Sequence, residues 1–173
     1  GEFWALRVAR LDPLAVSVVT TGPEDFEPDW SGDGTRILFT SYFNRDTPDQ
    51  TSFVMSAAAD GSDVHPVAAL FDPAHYVGNP RWSPDGRQIA FTVGSGREGG
   101  ELWVMDGDGS GARRLLDHPG WDDIDPAWSP DGTRLAFAAG RYRGGTEETR
   151  HDIWLLDLPT ATAGTIIVDP VLD

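Results

Sequence analysis

The side chains best suited to catalysis or metal binding are scattered along this sequence. Its four histidines, His65, His75, His118 and His151, do not have the spacing of metal ligands. The chain has no cysteine, which excludes disulfides and thiol catalysis. The stretch 93–97 around a serine is expected in a loop, not at the strand-to-helix turn that presents a nucleophilic serine. We therefore predict no catalytic residue, no cofactor and no enzyme activity in these residues.

Two acidic stretches invite comparison with cation sites. Residues 106–110 begin like a calcium loop, but they lack the later acidic ligands and the bidentate glutamate that complete one. A hairpin turn is the better interpretation of this stretch. Residues 122–125 could also coordinate a cation, but a metal site is the weaker interpretation there too. We predict no metal site, and calorimetric titration with calcium would test both stretches.

A third group of residues is typical of binding surfaces. Aromatic side chains and arginines set among acids have the composition of interface hot spots. The alternative is that the aromatics fill gaps between sheets and the charges are solvated. We predict a binding surface for the group as a whole. Its members are Phe26, Tyr42, Phe43, Arg45, His75, Tyr76, Trp121, Asp122, Asp123, Arg141, Tyr142 and Arg143.

The elements that must position these residues come from an internal repeat. Residues 27–39, 79–91 and 125–137 share the pattern Pro-x-Trp-Ser-x-Asp-Gly followed by an alternating apolar pair. A second pattern, an apolar stretch ending in Asp in the later copies, follows each of them. Successive copies start 52 and 46 residues apart. Repeats of this length, each with several short strands and tight turns, are typical of a β-propeller. A β-solenoid is disfavoured because its period is much shorter.

Each repeat is expected to form one blade of four antiparallel strands, named a to d. Strand a carries Pro-x-Trp, a tight hairpin turn follows, and strands b and c alternate apolar side chains. The alternating pairs aligned in strand c are Phe53 and Met55, Leu102 and Val104, and Ile153 and Leu155. Because the tryptophans recur at one position, we predict that they pack between blades. The recurring structural residues are Trp30, Trp82, Trp128, Asp33, Asp85, Asp131, Gly34, Gly86 and Gly132.

The repeat resembles that of the TolB-like propeller family, which also occurs in tricorn-like and prolyl-oligopeptidase-like peptidases. The second and third copies match closely. The first departs at Gly32, where the others have proline, and at 51–54, where the tryptophan of strand c is missing. The resemblance implies a module that docks protein partners, in the periplasm or outside the cell.

The predicted domain is an all-β propeller of about three and a half blades. Residues 1–22 are expected to be a half blade, with strand c at 3–8 and strand d at 15–20, followed by blades at 23–70, 71–117 and 118–173. A propeller closes with about four to eight blades. We therefore expect the apolar faces at the two ends to be covered by further blades or by a second chain.

Composition restricts the partners. The formal net charge of −15 disfavours nucleic acids and anionic membranes, and no apolar run is long enough to span a bilayer. The leading hypothesis is a non-enzymatic module that binds a protein or peptide through the face with the long loops. The alternatives are the substrate-gating propeller of a peptidase whose catalytic domain lies elsewhere, and a propeller that binds a sugar or another small ligand.

Overall fold

Fourteen β-strands in four antiparallel sheets make up the described part of the chain. The computed structural model describes residues 4–22, 24–44, 50–67, 76–95, 99–141, 151–158 and 162–167. No helix in these ranges is long and apolar enough to cross a membrane. The predicted all-β fold of four-stranded antiparallel blades is confirmed.

Three of the sheets are blades whose four strands are hydrogen-bonded in chain order. Blade 1 contains β3 (Asp25–Trp30), β4 (Arg36–Phe43), β5 (Thr51–Ala58) and β6 (His65–Pro66). Blade 2 contains β7 (Tyr76–Trp82), β8 (Gln88–Ser95), β9 (Gly99–Asp106) and β10 (Arg113–Arg114). Blade 3 contains β11 (Trp121–Trp128), β12 (Arg134–Arg141), β13 (Asp152–Asp157) and β14 (Thr162–Ile167).

The fourth sheet is a hairpin of β1 (Arg7–Leu11) and β2 (Leu14–Val18). The sequence pattern places its first strand at residues 3–8, and the observed strand begins later. The reason is that Trp4 pairs in parallel with Glu24, next to blade 1. The limits of the half blade and of the three blades remain predictions, because several of the connections lie outside the described residues.

Each strand a is interrupted at its proline by a β-bulge. The residue before the proline has a positive φ, 57° at Glu27, 53° at Asn79 and 54° at Asp125. The pairing of strands a and b shifts register at these points. Proline has no N–H to donate to the neighbouring strand, so a bulge lets the ladder resume beyond it.

The turn between strands a and b is fixed by its aspartate. In blade 1, Asp33 accepts hydrogen bonds from the Ser31 hydroxyl (2.7 Å) and the Thr35 amide (3.0 Å). These contacts hold the pKa of Asp33 at about 2. The final glycine, Gly34, has a φ of 70°, a conformation that costs glycine little. Blades 2 and 3 repeat this arrangement with Asp85, Gly86, Asp131 and Gly132.

The departure of blade 1 at Gly32 has a steric cause. A Cβ atom at this position would lie 2.6 Å from the carbonyl oxygen of Pro84 in blade 2. Restoring the repeat with Gly32→Pro is therefore expected to destabilise the protein by about 1–3 kcal/mol, as overpacking does. Chemical denaturation measures this change. The reciprocal variant Pro130→Gly is the control, and a Gly32→Pro variant as stable as the parent would contradict the steric explanation.

Among the residues that the structure describes, three apolar clusters form the core, one at each contact between neighbouring sheets. In every blade, the alternating apolar pair of strand b lies on one side of the strand, as the sequence predicts, and this side faces the preceding sheet. The pairs are Ile37 and Phe39, Ile89 and Phe91, and Leu135 and Phe137. Blades therefore stack face to face, and each one completes the core of the one before it.

Strand c of blade 1 is aligned one residue later than its sequence suggests. Phe39 pairs with Met55, as Phe91 pairs with Trp103 and Phe137 with Trp154. Met55 therefore occupies the position of the missing tryptophan. The alignment of Phe53 with Leu102 in the sequence pattern is wrong by one residue.

Candidate binding face

Each strand b ends and each strand c begins on one side of the blades, here called the long-loop face. The Ser-x-Asp-Gly turns lie on the opposite side, the tight-turn face. Strand pairing places predicted binding residues at the long-loop face, since Tyr76 pairs with Gly94 and Trp121 with Arg141 at that end of their sheets. Arg45, His75, Tyr142 and Arg143 lie outside the described residues.

In blade 3 the predicted residues form a compact group around Trp121, here called the Trp121 cluster. The His118 ring stacks on Trp121, with ring centroids 4.3 Å apart and an angle of 16° between the planes. The Arg141 guanidinium carbon lies 4.8 Å from the centroid of the Trp121 ring. Trp154 packs edge-on at 5.4 Å. Arg141 is exposed, so this cation–π pair faces solvent.

The buried carboxylate of the cluster belongs to Asp123. Only 2% of Asp123 is exposed, and its Oδ2 lies 3.1 Å from Nδ1 of His118. Burial raises the pKa of Asp123, and the neighbouring His118 opposes that rise. Asp123 therefore contributes almost no exposed surface to the long-loop face. The contact between Asp123 and His118 holds the residues that precede β11 against that strand.

The Asp122 side chain points to the opposite side of β11 from that of Asp123, because neighbouring residues of a strand face opposite sides. Its Oδ1 accepts a hydrogen bond of 2.6 Å from the Gly100 amide of blade 2. Its Oδ2 lies 3.0 Å from Nε2 of His151. The two adjacent carboxylates thus do not converge on one point, and within the described ranges no group of three metal-ligating side chains is found.

Blade 1 has a buried carboxylate at the position equivalent to Asp123. Asp25 is 4% exposed and accepts a hydrogen bond from the hydroxyl of Thr20, five residues earlier. Asp123 and His118 are also five residues apart, and both pairs join the start of strand a to the connection before it. The histidine contact is therefore part of the architecture of the blade. The sequence could have revealed it by aligning residues 20–25 with 118–123.

Blade 1 also carries an aromatic group at the long-loop face, here called the Phe26 cluster. The Phe26 ring lies 5.7 Å from Trp4 and 5.9 Å from Tyr42. Phe43 packs edge-on against Phe53 at 5.6 Å. Trp4 and Phe43 are exposed. The sequence interpretation missed Trp4, because it approaches Phe26 only through the parallel bridge to blade 1.

Hydrogen bonds connect neighbouring blades at the residues that precede the prolines of strands a, which are Glu27, Asn79 and Asp125. The Asn79 amide donates to Oε2 of Glu27 (2.7 Å), and Nδ2 of Asn79 donates to Oδ1 of Asp125 (2.5 Å). The Thr40 hydroxyl also donates to Glu27. These contacts place the polar groups of β3, β7 and β11 in one row and fix neighbouring blades in register.

The recurring tryptophans join neighbouring blades where a preceding blade is present. The Trp128 indole N–H donates to the Arg81 carbonyl (3.1 Å), and the Trp82 amide donates to Asp29 (2.7 Å). At the tight-turn face, Trp82 and Trp128 border cavities of about 430 and 310 Å³ between successive turns. Trp30, in the first blade, is 47% exposed.

Comparison with known proteins identifies the family. The TolB beta propeller domain matches residues 4–149 of this chain. The chain belongs to the TolB β-propeller family. The predicted TolB-like resemblance is therefore confirmed, and the TolB-type repeat accounts for the recurring turn and tryptophan of its blades.

Relatives of this TolB-type propeller include a Tol-Pal system protein and an uncharacterized peptidase. The Tol-Pal system protein TolB of Anaeromyxobacter dehalogenans is 41% identical over 95 residues, which are 55% of this chain and 20% of that protein. The uncharacterized peptidase YuxL of Bacillus subtilis is 32% identical over 98 residues, 54% of this chain and 14% of that protein. A solved structure, the putative TolB from Agrobacterium tumefaciens, has a TM-score of 0.70 and 21% identity over 87% of this chain and 51% of that one. The matched segments span at most about half of these proteins.

Proposed function

We propose that this propeller is a non-enzymatic module that binds a protein or peptide through its long-loop face. The observation that carries the proposal is the Trp121 cluster, in which an exposed arginine lies on an aromatic ring at the end of a rigid sheet. Arginine and aromatic residues on a preorganised surface are the usual anchors of protein interfaces. The exposed Phe43 and Trp4 extend the same surface over blade 1.

The acidic residues of the face support binding rather than chemistry. Asp122 and Asp123 are each held by a histidine and serve contacts within and between blades. A hydrolytic site needs a nucleophile next to its base and an acid that orients the base. The histidine–carboxylate pairs of this face instead fix the strands, which leaves Arg141 and the aromatic rings as the contact surface.

A selection from a random-peptide library displayed on phage tests the proposal even when the natural partner is unidentified. Peptides that bind the parent protein are measured against Arg141→Ala. We expect the variant to lose about tenfold in affinity, because truncating an interface arginine anchor commonly costs more than 1 kcal/mol.

The matched control removes an arginine from the tight-turn face. The Arg87 side chain is 86% exposed, and Arg87→Ala is expected to leave affinity within about twofold. Equal losses in both variants would point to general electrostatics. An unchanged affinity in Arg141→Ala would refute the proposed face.

The second candidate is the propeller of a peptidase that controls access to a separate catalytic domain. The specific observation in its favour is the identity with the peptidase YuxL. The sequence of the full gene decides between the two, because the peptidase hypothesis requires an α/β-hydrolase segment after residue 173. The similarity to the Tol-Pal system protein TolB supports the proposed location of the binding module, the periplasm or the cell exterior.

A further inference from the structure

The cavity of about 310 Å³ between the turns of blades 2 and 3 is lined by the ring of Trp128 and is here called the Trp128 cavity. Two carboxylates also line it, those of Asp85 and Asp131, one from each turn. Gln88 and Ser83 supply further polar groups. None of the described residues that line this cavity is basic, so it presents negative charge beside an aromatic ring.

Both carboxylates of the Trp128 cavity are held in place through Oδ1. In blade 3, Oδ1 of Asp131 accepts hydrogen bonds from the Ser129 hydroxyl (2.6 Å) and the Thr133 amide (3.0 Å), and these bonds hold the pKa of Asp131 at about 2. Hydrogen bonds to Oδ1 of Asp85 lower its pKa as well. The Arg87 side chain, 86% exposed, lies 3.8 Å from Oδ2 of Asp85, which is too far for a hydrogen bond. Both carboxylates are therefore ionised at neutral pH, and Oδ2 of each can accept a hydrogen bond from a ligand.

The ring of the Trp128 cavity is also fixed before any ligand enters. The Trp128 indole N–H donates to the Arg81 carbonyl of blade 2 (3.1 Å), which holds the ring against the neighbouring blade. A Cβ atom at Gly132 would lie 3.8 Å from Cδ of Pro84, so the turns of blades 2 and 3 lie side by side. A cation that enters therefore meets a ring and two charges already in position, and such preorganisation lowers the cost of binding.

The equivalent cavity, between the turns of blades 1 and 2, is lined by Trp82, Asp33 and Asp85. Its lining also includes Arg36, which occupies the repeat position of Gln88. The Arg36 guanidinium is held there by an ion pair of 2.9 Å with an aspartate of the connection between strands c and d. A cavity with the same ring and carboxylates thus accommodates an arginine of the chain itself, whereas no arginine among the described residues lines the Trp128 cavity.

We propose that the Trp128 cavity binds the guanidinium group of an arginine side chain of a partner protein. A planar guanidinium stacks on an indole ring and donates to two carboxylates at once, a geometry that an ammonium group does not match. The turns around the cavity carry seven aspartates and three arginines, a net charge of −4, which favours a basic partner. These turns are residues 31–36, 58–63, 83–88, 106–110 and 129–134. The contact is a second binding site, on the opposite side of the blades from the long-loop face.

NMR titration of the indole N–H signals measures binding of arginine whose amino group is acetylated and whose carboxyl group is an amide. This probe carries one positive charge and mimics an arginine within a peptide. We expect the Trp128 signal to shift saturably with a dissociation constant on the order of 1 mM, as for other ligands of this size. The Trp121 signal of the long-loop face is expected to stay unchanged.

Two related probes define the ligand. The lysine analogue with the same blocked ends is expected to bind at least about fivefold more weakly, because its ammonium group does not stack on the ring or bridge two carboxylates. Free arginine is also expected to bind more weakly than the blocked form, because the acidic face repels its carboxylate.

Gln88→Arg tests the site by placing an arginine of the chain in the Trp128 cavity, as Arg36 lines the neighbouring one. We expect affinity for the blocked arginine to fall at least about tenfold. Thr35→Arg is the matched control, because it adds the same charge to the same face, where blade 2 has Arg87, and does not line the Trp128 cavity. Its affinity should lie within about twofold of the parent. Melting curves verify that the variants fold.

Asp131→Asn is the second variant if Gln88→Arg does not fold. It keeps the Oδ1 acceptor of the turn and removes one charge from the Trp128 cavity, and we expect a loss of about threefold in affinity. Asp60→Asn is its control, because it removes an equal charge from another turn of the same face without lining the cavity. Its affinity should stay within about twofold of the parent.

Three kinds of result would overturn the proposal. The first is an unchanged affinity in Gln88→Arg or Asp131→Asn, or a loss equal to that of the matched control. The second is equal affinity for the arginine and lysine probes, or tighter binding of free arginine, which would exclude an arginine within a protein as the ligand. The third is a shift confined to Trp121. The probes differ from the peptides selected for the long-loop face, so this proposal and the proposed function can fail separately.

Discussion

Replacing Phe91 by alanine is expected to lower the free energy of unfolding by about 4 kcal/mol, a loss typical of a large side chain removed from a core. Phe91 is completely buried, and it packs with Leu38 and Val54 of blade 1 in the cluster between blades 1 and 2. The alanine would lose the transfer free energy of the ring and leave a cavity between the two blades. Urea denaturation measures the loss, and the melting temperature should fall by roughly 10 °C.

Phe43→Ala is the matched control for this prediction. Phe43 is 38% exposed at the end of the neighbouring β4, and its removal should cost less than about 1 kcal/mol. If the two variants lost similar amounts of stability, the cluster between blades 1 and 2 would not be the main source of cohesion. Stacking of blades would then not explain how the chain folds.

Replacing His118 by alanine is expected to cost about 3 kcal/mol at neutral pH, because it leaves the buried Asp123 carboxylate without its partner. Burial already raises the pKa of Asp123, and His118 opposes that rise. Without His118 the pKa of Asp123 in the folded protein rises further. A raised carboxyl pKa favours the protonated form in the folded state, so the penalty is absent at low pH and grows as pH rises through the folded pKa.

Two further variants make this prediction specific. Asp123→Asn in the His118→Ala background removes the unpaired charge and should recover part of the lost stability at neutral pH. His65→Ala is the control, because His65 is exposed and its contact with Asp63 at 3.3 Å lies at the surface. It should cost less than about 1 kcal/mol. A pH-independent loss in His118→Ala would show that only ring stacking on Trp121 had been removed.

The architecture was predictable from the sequence because each blade contains a local signal. The proline of strand a, the aspartate–glycine turn and the alternating pair of strand b act within a few residues of one another, and the structure places all three as predicted. Local hydrogen bonding and alternation do not depend on neighbouring blades, so they can be interpreted one repeat at a time.

The features that the sequence did not reveal depend on contacts between distant residues. Gly32 is explained by the Pro84 carbonyl of the next blade, and the alignment of Met55 by its pairing with Phe39. The part of His118 in the Trp121 cluster is an exception, because its contact with Asp123 is local and becomes visible once residues 118–123 are aligned with 20–25. The predicted binding surface itself remains a proposal, since composition indicates that a face can bind but not what it binds.

Hydrogen exchange of the protein with and without a selected peptide tests the proposed binding face most directly. Binding at the long-loop face predicts slower exchange in the first residues of β11 and the last residues of β12, with the turns at 83–88 and 129–134 unchanged. Slower exchange at those turns, where Trp82 and Trp128 border the cavities of the tight-turn face, together with unchanged exchange at 121–123, would contradict it.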